Sequence, residues 1–248
     1  SYDGVPFDSS VSAGYTCTSC VNGDGSLLIS YTGNAEGVTN PGSYNITPSS
    51  ATHAGLGYSV AVTSGSLSIG AKTLQLYGTV GLDKVYDGRN SITYGMASGY
   101  SPLTGVVSGD DVYVVGAPTY SGSTVGAWNI VQGTVTLGGS SASKYSVNWN
   151  NGSGNITAAP LKVYIHDDAR FTLASDTAGY NGYSISGLVN GETAASALTG
   201  SVSIGRSNAG VNTAGVHTGV LVNSGSTLAG SNYNITYVAG NYTIVAVS

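Results

Sequence analysis

YSVAVTSGSLSI (58–69), YSVNWNNGSGNI (145–156) and YNITYVAGNYTI (233–244) share one register: Tyr, six residues, Gly, three residues, Ile. Tyr58, Tyr145 and Tyr233 stand 87 and 88 positions apart, and Gly65, Gly152 and Gly240, then Ile69, Ile156 and Ile244, keep the same offsets. A register kept twice over marks an internal repeat. Within each tail the side chains alternate, so that Tyr58, Val60 and Val62, or Tyr145, Val147 and Trp149, or Tyr233, Ile235 and Tyr237, point to one face of a strand. The Gly between two such runs supplies the positive φ of a tight turn, so each tail is expected to close as a β-hairpin. The three tail tyrosines are expected to anchor the core of their repeat.

Working outward, the repeats also have heads: SYDG at 1–4, VYDG at 85–88 and the looser GYNG at 179–182. Between head and tail, NPGSYNI (40–46) matches TVGAWNI (124–130), and TAGVHTG (213–219) keeps the Gly. The chain thus divides into modules 1–70, 71–160 and 161–248. The joints near 68–71 and 158–160 hold no long polar linker, so adjacent modules should nearly abut. Further strands are expected in LKVYIH (161–166), VYVVGAPTY (112–120), GTVTLGG (133–139) and GSVSIG (200–205). Only GLVNGETAASAL (187–198) has the Ala and Glu content for one or two helical turns. The expected fold is all-β: three tandem Gly-rich modules, immunoglobulin-like sandwich or β-grasp-like, in an elongated arrangement.

Composition narrows the function. Of 248 residues, 38 are Gly and 18 Tyr, while charged residues make up 8 %, against roughly 25 % in an ordinary globular protein. That composition fits neither a disordered acidic tail nor a helical bundle. The net charge is −5, and the seven basic residues, Lys72, Lys84, Arg89, Lys144, Lys162, Arg170 and Arg206, are scattered. Phosphate neutralisation needs clustered Lys and Arg, so nucleic acid is not an expected partner. No apolar run approaches the roughly 18 residues of a spanning helix, so membrane insertion is not expected either. The opening SYDGVPFDSS lacks a basic, then apolar leader, which places any export signal outside this stretch. Low Lys and Glu with abundant Tyr, Thr, Ser, Val, Asn and Gly is the balance of an exported all-β protein.

KVYDG (84–88), GVVSGDDVYV (105–114) and KYSVNW (144–149) resemble the YDG repeat domain. LKVYIHDDARF (161–171), SISGLVNGE (184–192) and LAGSNYNITYVAGNYTI (228–244) resemble the Gly-rich, mostly-β MBG domain, and module 1 is similar to a divergent MBG module whose leading strand lies outside the stretch. The resemblance implies a repeat array in a large secreted or surface bacterial adhesin, of the filamentous-haemagglutinin-like type exported by two-partner secretion, acting in cell adhesion, aggregation or biofilm. It implies an extracellular location and neighbouring modules of the same long chain as partners, and it carries no catalytic residues to transfer.

The chemistry-bearing residues are read on their own terms. Cys17 and Cys20 are the only cysteines. Two thiolates do not complete a tetrahedral zinc site, and CxxC without a βαβ context is weak evidence for a redox centre. In an oxidising compartment a local disulfide is expected, worth about 2 kcal/mol, with intermolecular pairing and redox or metal chemistry as the alternatives. Asp110-Asp111 and Asp167-Asp168 are adjacent on strands, so neither pair forms a catalytic dyad by itself. With Asp24 and Asp87 they are expected in turns and caps, an adventitious or interdomain Ca²⁺ being the other use. No cofactor is expected, and no GxSxG, HExxH or phosphate-binding loop occurs. An enzyme is therefore not expected. The repeated aromatics, Trp128 and Trp149 included, are assigned to packing. Tyr94, Tyr100, Tyr113 and Tyr120 do not repeat and are the candidates for an exposed patch that stacks on sugar rings of a polysaccharide or host glycan. Sequons stand at Asn45, Asn151, Asn155, Asn234 and Asn241; the plainer reading of Asn-Ile-Thr is a strand edge beside a turn.

Overall fold

The structure is a computed structural model that describes residues 1–8, 31–48, 61–92 and 98–247. Tyr58, Tyr94, Asp24, Cys17 and Cys20 lie outside the described residues. In chain order the strands are β1 (Tyr31–Thr32), β2 (Gly42–Pro48), β3 (Gly65–Ile69), β4 (Lys72–Tyr77), β5 (Lys84–Val85), β6 (Tyr113–Val115), β7 (Thr119–Tyr120), β8 (Gly126–Val131) and β9 (Thr136–Gly138). They continue with β10 (Tyr145–Asn150), β11 (Gly152–Thr157), β12 (Ala159–Ile165), β13 (Asp168–Phe171), β14 (Tyr183–Ser186), β15 (Ile204–Arg206), β16 (Gly215–Asn223), β17 (Tyr233–Val238) and β18 (Gly240–Val245). The one α-helix among the described residues, α1 (Ala194–Ala197), falls in the stretch whose composition favours it. Thr193 and Ser196 close it with a reciprocal capping box. The fold is all-β.

The described residues form two compact units, one from Ser1–Tyr77, Ser101–Ala117 and Gly133–Asn150, the other from Gly78–Tyr100, Pro118–Gln132 and Asn151–Ser248. Residues 71–160 are thus shared between the units. The first unit holds β1-β2-β3, the parallel pair β10-β4 and the hairpin β6-β9. Its core gathers Tyr2, Leu74 and Tyr145, with Ile69, Leu103, Val106, Val107, Val112 and Leu137 packed around them. The second unit holds β5-β11-β8-β7, β14-β12-β17 and β13-β18-β16-β15. One of its clusters is Ile165, Leu221, Tyr242 and Ile244, flanked by Tyr180, Ile204 and Val220. Strict alternation makes these strands: in β12 Ala159, Leu161, Val163 and Ile165 are buried and the residues between them exposed, and β4 buries Leu74 and Leu76 in the same way.

The tails at 145–156 and 233–244 are not hairpins, which corrects the expectation for them; the start of the first tail lies outside the described residues. β10 runs parallel to β4 and β17 parallel to β12, whereas β11 joins β8 and β5, and β18 joins β16 and β13. Gly152 and Gly240 are where the chain leaves one sheet for another. Their need is space rather than positive φ: a Cβ on Gly152 would stand 2.1 Å from the Thr79 carbonyl oxygen, and one on Gly240 2.7 Å from the carbonyl oxygens of Ile165 and His166. The repeats at 71–160 and 161–248 share this pairing order strand for strand, β4, β5, β7, β8, β10 and β11 standing where β12, β13, β15, β16, β17 and β18 stand.

Candidate functional site

Two tyrosine–carboxylate clusters, one in each unit, are built from the same parts. The head tyrosine sits beside the end of a tail strand. Tyr2 donates its backbone N–H to Gly70 and Tyr86 to Thr157, in each case at 2.8 Å, and Gly70 and Thr157 each lie five residues beyond the tail glycine. Thr172 occupies the corresponding place, its N–H bonding Val245. The head expected at GYNG is therefore displaced: Tyr180 packs edge-on against Tyr242 instead.

From that position each head phenol reaches a carboxylate and a tail tyrosine. Tyr2 and Tyr145 pack edge to face at 5.5 Å, and both hydroxyls donate to Asp110 Oδ2, at 2.8 and 2.5 Å. Tyr86 and Tyr233 pack edge to face at 5.6 Å; the Tyr86 hydroxyl donates to Glu192 Oε1 at 2.5 Å and the Tyr233 hydroxyl to Glu192 Oε2. The tail phenol oxygen in turn accepts a backbone N–H, from Val107 on Tyr145 and from Val189 on Tyr233. VVSGD (106–110) and LVNGE (188–192) are thus the same element, a turn that presents one acid and one N–H to the tail tyrosine. All four tyrosines are buried. An edge-to-face ring pair adds about 0.5–1.5 kcal/mol beyond its area, and a hydrogen bond to a charged group about 1.5–3 kcal/mol.

The other two residues of each YDG head serve the same joint. Asp3 and Asp87 each accept the N–H two residues on, from Val5 and Arg89, the turn role expected for aspartate. Gly4 and Gly88 have φ of +81° and +75°, and a Cβ on them would stand 2.7 Å from Val107 and Asn190, each in the turn that carries the acid.

Electrostatics follow from these contacts. The Lys144 ammonium, 2.8 Å from Asp110 Oδ1, and the Tyr145 hydroxyl hold the Asp110 carboxyl far below its ordinary range, and the same contact raises Lys144. Burial, then the bond to Glu192, pushes the Tyr86 phenol up to about 12 and raises Tyr233 as well. The Lys84 ammonium is enclosed by Asp87 Oδ1 and the carbonyls of Arg89 and Ser91, above the Tyr120 ring. That contact outweighs burial and lowers Asp87. A third carboxylate, Asp176, accepts from Arg170, Arg206 and Tyr242. Its burial is likewise outweighed, by the Tyr242 hydroxyl and the two guanidiniums, so its pKa is lowered.

Of the four tyrosines expected in a sugar-stacking patch, Tyr94 lies outside the described residues. Tyr120 is a correction: it is fully buried, its hydroxyl donating to the Leu82 carbonyl at 2.6 Å, because Tyr120 pairs with buried Ile130 on the inner face of its sheet. Tyr100 is half-buried, and Tyr113 is 53 % exposed with its ring across Gly138. Asp110 closes a turn, its N–H bonding the Val107 carbonyl, and beyond that role it is the acceptor shared by two phenols. Glu192, read only as helix-favouring, and Lys144 were missed; the repeat of VSGD and VNGE ahead of the tails was the available signal. Asn155 and Asn241 bond Asp83 and Asp167 through both backbone N–H and side-chain amide. No group of three metal-ligating side chains forms among the described residues. None of the described helices is long and apolar enough to cross a membrane.

Residues 70–153 match the family model of the YDG domain, and residues 8–68 match that of the MBG domain (YGX type). No curated protein and no solved structure matches the chain. The chain therefore carries an MBG domain of the YGX type followed by a YDG domain.

Proposed function

We propose that this chain is a structural, non-catalytic repeat region of a secreted or surface-exposed bacterial adhesin, spacing and supporting an adhesive part of its parent in cell adhesion or biofilm. One observation carries the reading: six charged side chains among the described residues are committed to the framework. Asp110, Glu192 and Asp176 accept from phenols and cations, and Lys84, Arg170 and Arg206 are tied to carboxylates and to the carbonyls of adjoining turns. Side chains held in this way stiffen small Gly-rich cores, which suits a repeat array built to hold distance. The MBG and YDG matches support a structural repeat of an extracellular protein.

Carbohydrate recognition is the second reading, favoured by Tyr77 and Tyr113, which are 54 % and 53 % exposed on strands. A glycan array probed with the whole chain separates the two. The structural reading predicts no glycan-specific signal at high protein concentration. Specific binding that is lost in Tyr77→Ala or Tyr113→Ala overturns it in favour of the second.

A further inference from the structure

We propose that the head tyrosine is the coupling residue between successive modules, a phenol carried by one module and seated in a socket built by the next. Tyr86 belongs by sequence to the repeat at 71–160 and is fixed there through its N–H on Thr157. Its ring packs on Tyr233 and its hydroxyl bonds Glu192, both residues of the following repeat. Tyr2 repeats the arrangement, fixed to Gly70 and seated on Asp110 and Tyr145 of its own following repeat.

The socket has three parts in both copies: a carboxylate, the ring of a tail tyrosine, and a turn N–H that bonds that tyrosine's oxygen. A carboxylate that accepts from two phenols at once fixes both rings relative to each other, so the fit selects a phenol and not merely an apolar side chain. The glycine of the head completes the fit, since Gly88 lets Asn190 approach and the Arg89 Nε bonds the Asn190 amide oxygen at 3.3 Å. Thr172 stands where Tyr2 and Tyr86 stand in their repeats, and it has no ring to offer. The phenol coupling therefore runs from the first repeat into the second and from the second into the third, and the third offers none onward.

The coupling rests on the structural reading above, and its test is independent of glycan binding. Hydrogen exchange of the whole chain is compared for wild type, Tyr86→Phe and Tyr120→Phe. Tyr86→Phe keeps the ring and removes only the bond into the socket; Tyr120→Phe removes a buried bond inside the second repeat. The expected result is exchange faster by about tenfold at 189–193 and 232–238 in Tyr86→Phe, with those segments unchanged in Tyr120→Phe. Acceleration confined to 84–92 in Tyr86→Phe, or equal acceleration of the socket in both variants, overturns the proposal.

Discussion

Tyr86 and Asp110 show how single groups set the response of this chain to pH. A phenol that must stay protonated to donate, and whose pKa rises from 10.0 to about 12 on folding, contributes stability that is complete below pH 10 and lost as pH climbs toward 12. Tyr242, likewise pushed up to about 12 by burial and its bond to Asp176, adds to the same alkaline window. Asp110, Asp87 and Asp176 have the opposite sign. Their carboxyls are depressed below the ordinary 3.8, so their contribution is complete above that value and declines as pH falls below it. Urea midpoints measured from pH 2 to 12 should be flat between about pH 5 and 9 and fall on both sides. Tyr86→Phe should flatten part of the alkaline fall. An alkaline limb that is the same in Tyr86→Phe and wild type would show that Tyr86 does not titrate in this way.

At the scale of elements, the tail glycines differ although their register is shared. Gly152 and Gly154 face inward on β11, where a Cβ would meet the Thr79 carbonyl oxygen at 2.1 Å and the Leu82 carbonyl oxygen at 1.8 Å. Gly65 opens β3 with open space around it and no positive φ. Gly154→Ala should therefore cost about 1–3 kcal/mol or more, and Gly65→Ala should be neutral or stabilising by about 0.4–1 kcal/mol, as read from thermal melts.

These elements also show what the sequence could and could not tell. Period two identified the tail strands and their inward faces, because Tyr145, Val147 and Trp149, like Tyr233, Ile235 and Tyr237, are more buried than the residues between them. It is silent on partners. The tail strand Tyr145–Asn150 pairs with Lys72–Tyr77, 73 residues earlier, and not with the strand that follows it after one residue. A Gly between two alternating runs looks the same whether it turns a hairpin or lets the chain change sheets. The socket was half legible. The heads, the tails and the acidic turns all repeat, but Tyr86 meets Glu192 across 106 residues, and no local pattern states which head reaches which acid. Tyr120 misled for a related reason: it is inward by strand parity, while Tyr77 and Tyr164, at one repeated register of β4 and β12, are exposed.

For the whole molecule, the boundaries of the repeats and of the compact units do not coincide. The units divide residues 71–160 between them, and the clusters on Asp110 and on Glu192 each lie complete within one unit. A chain organised in this way should not unfold repeat by repeat. Whether Tyr86 and Glu192 act as one joint is decided by a double-mutant cycle of Tyr86→Phe and Glu192→Gln in the whole chain, followed by urea unfolding. Each single variant should lose about 1–3 kcal/mol, and the double variant less than their sum by about 1–2 kcal/mol, since the second change removes a bond already broken. Losses that add to within about 0.3 kcal/mol would show that the two residues stabilise the chain separately, and that no phenol–carboxylate joint exists.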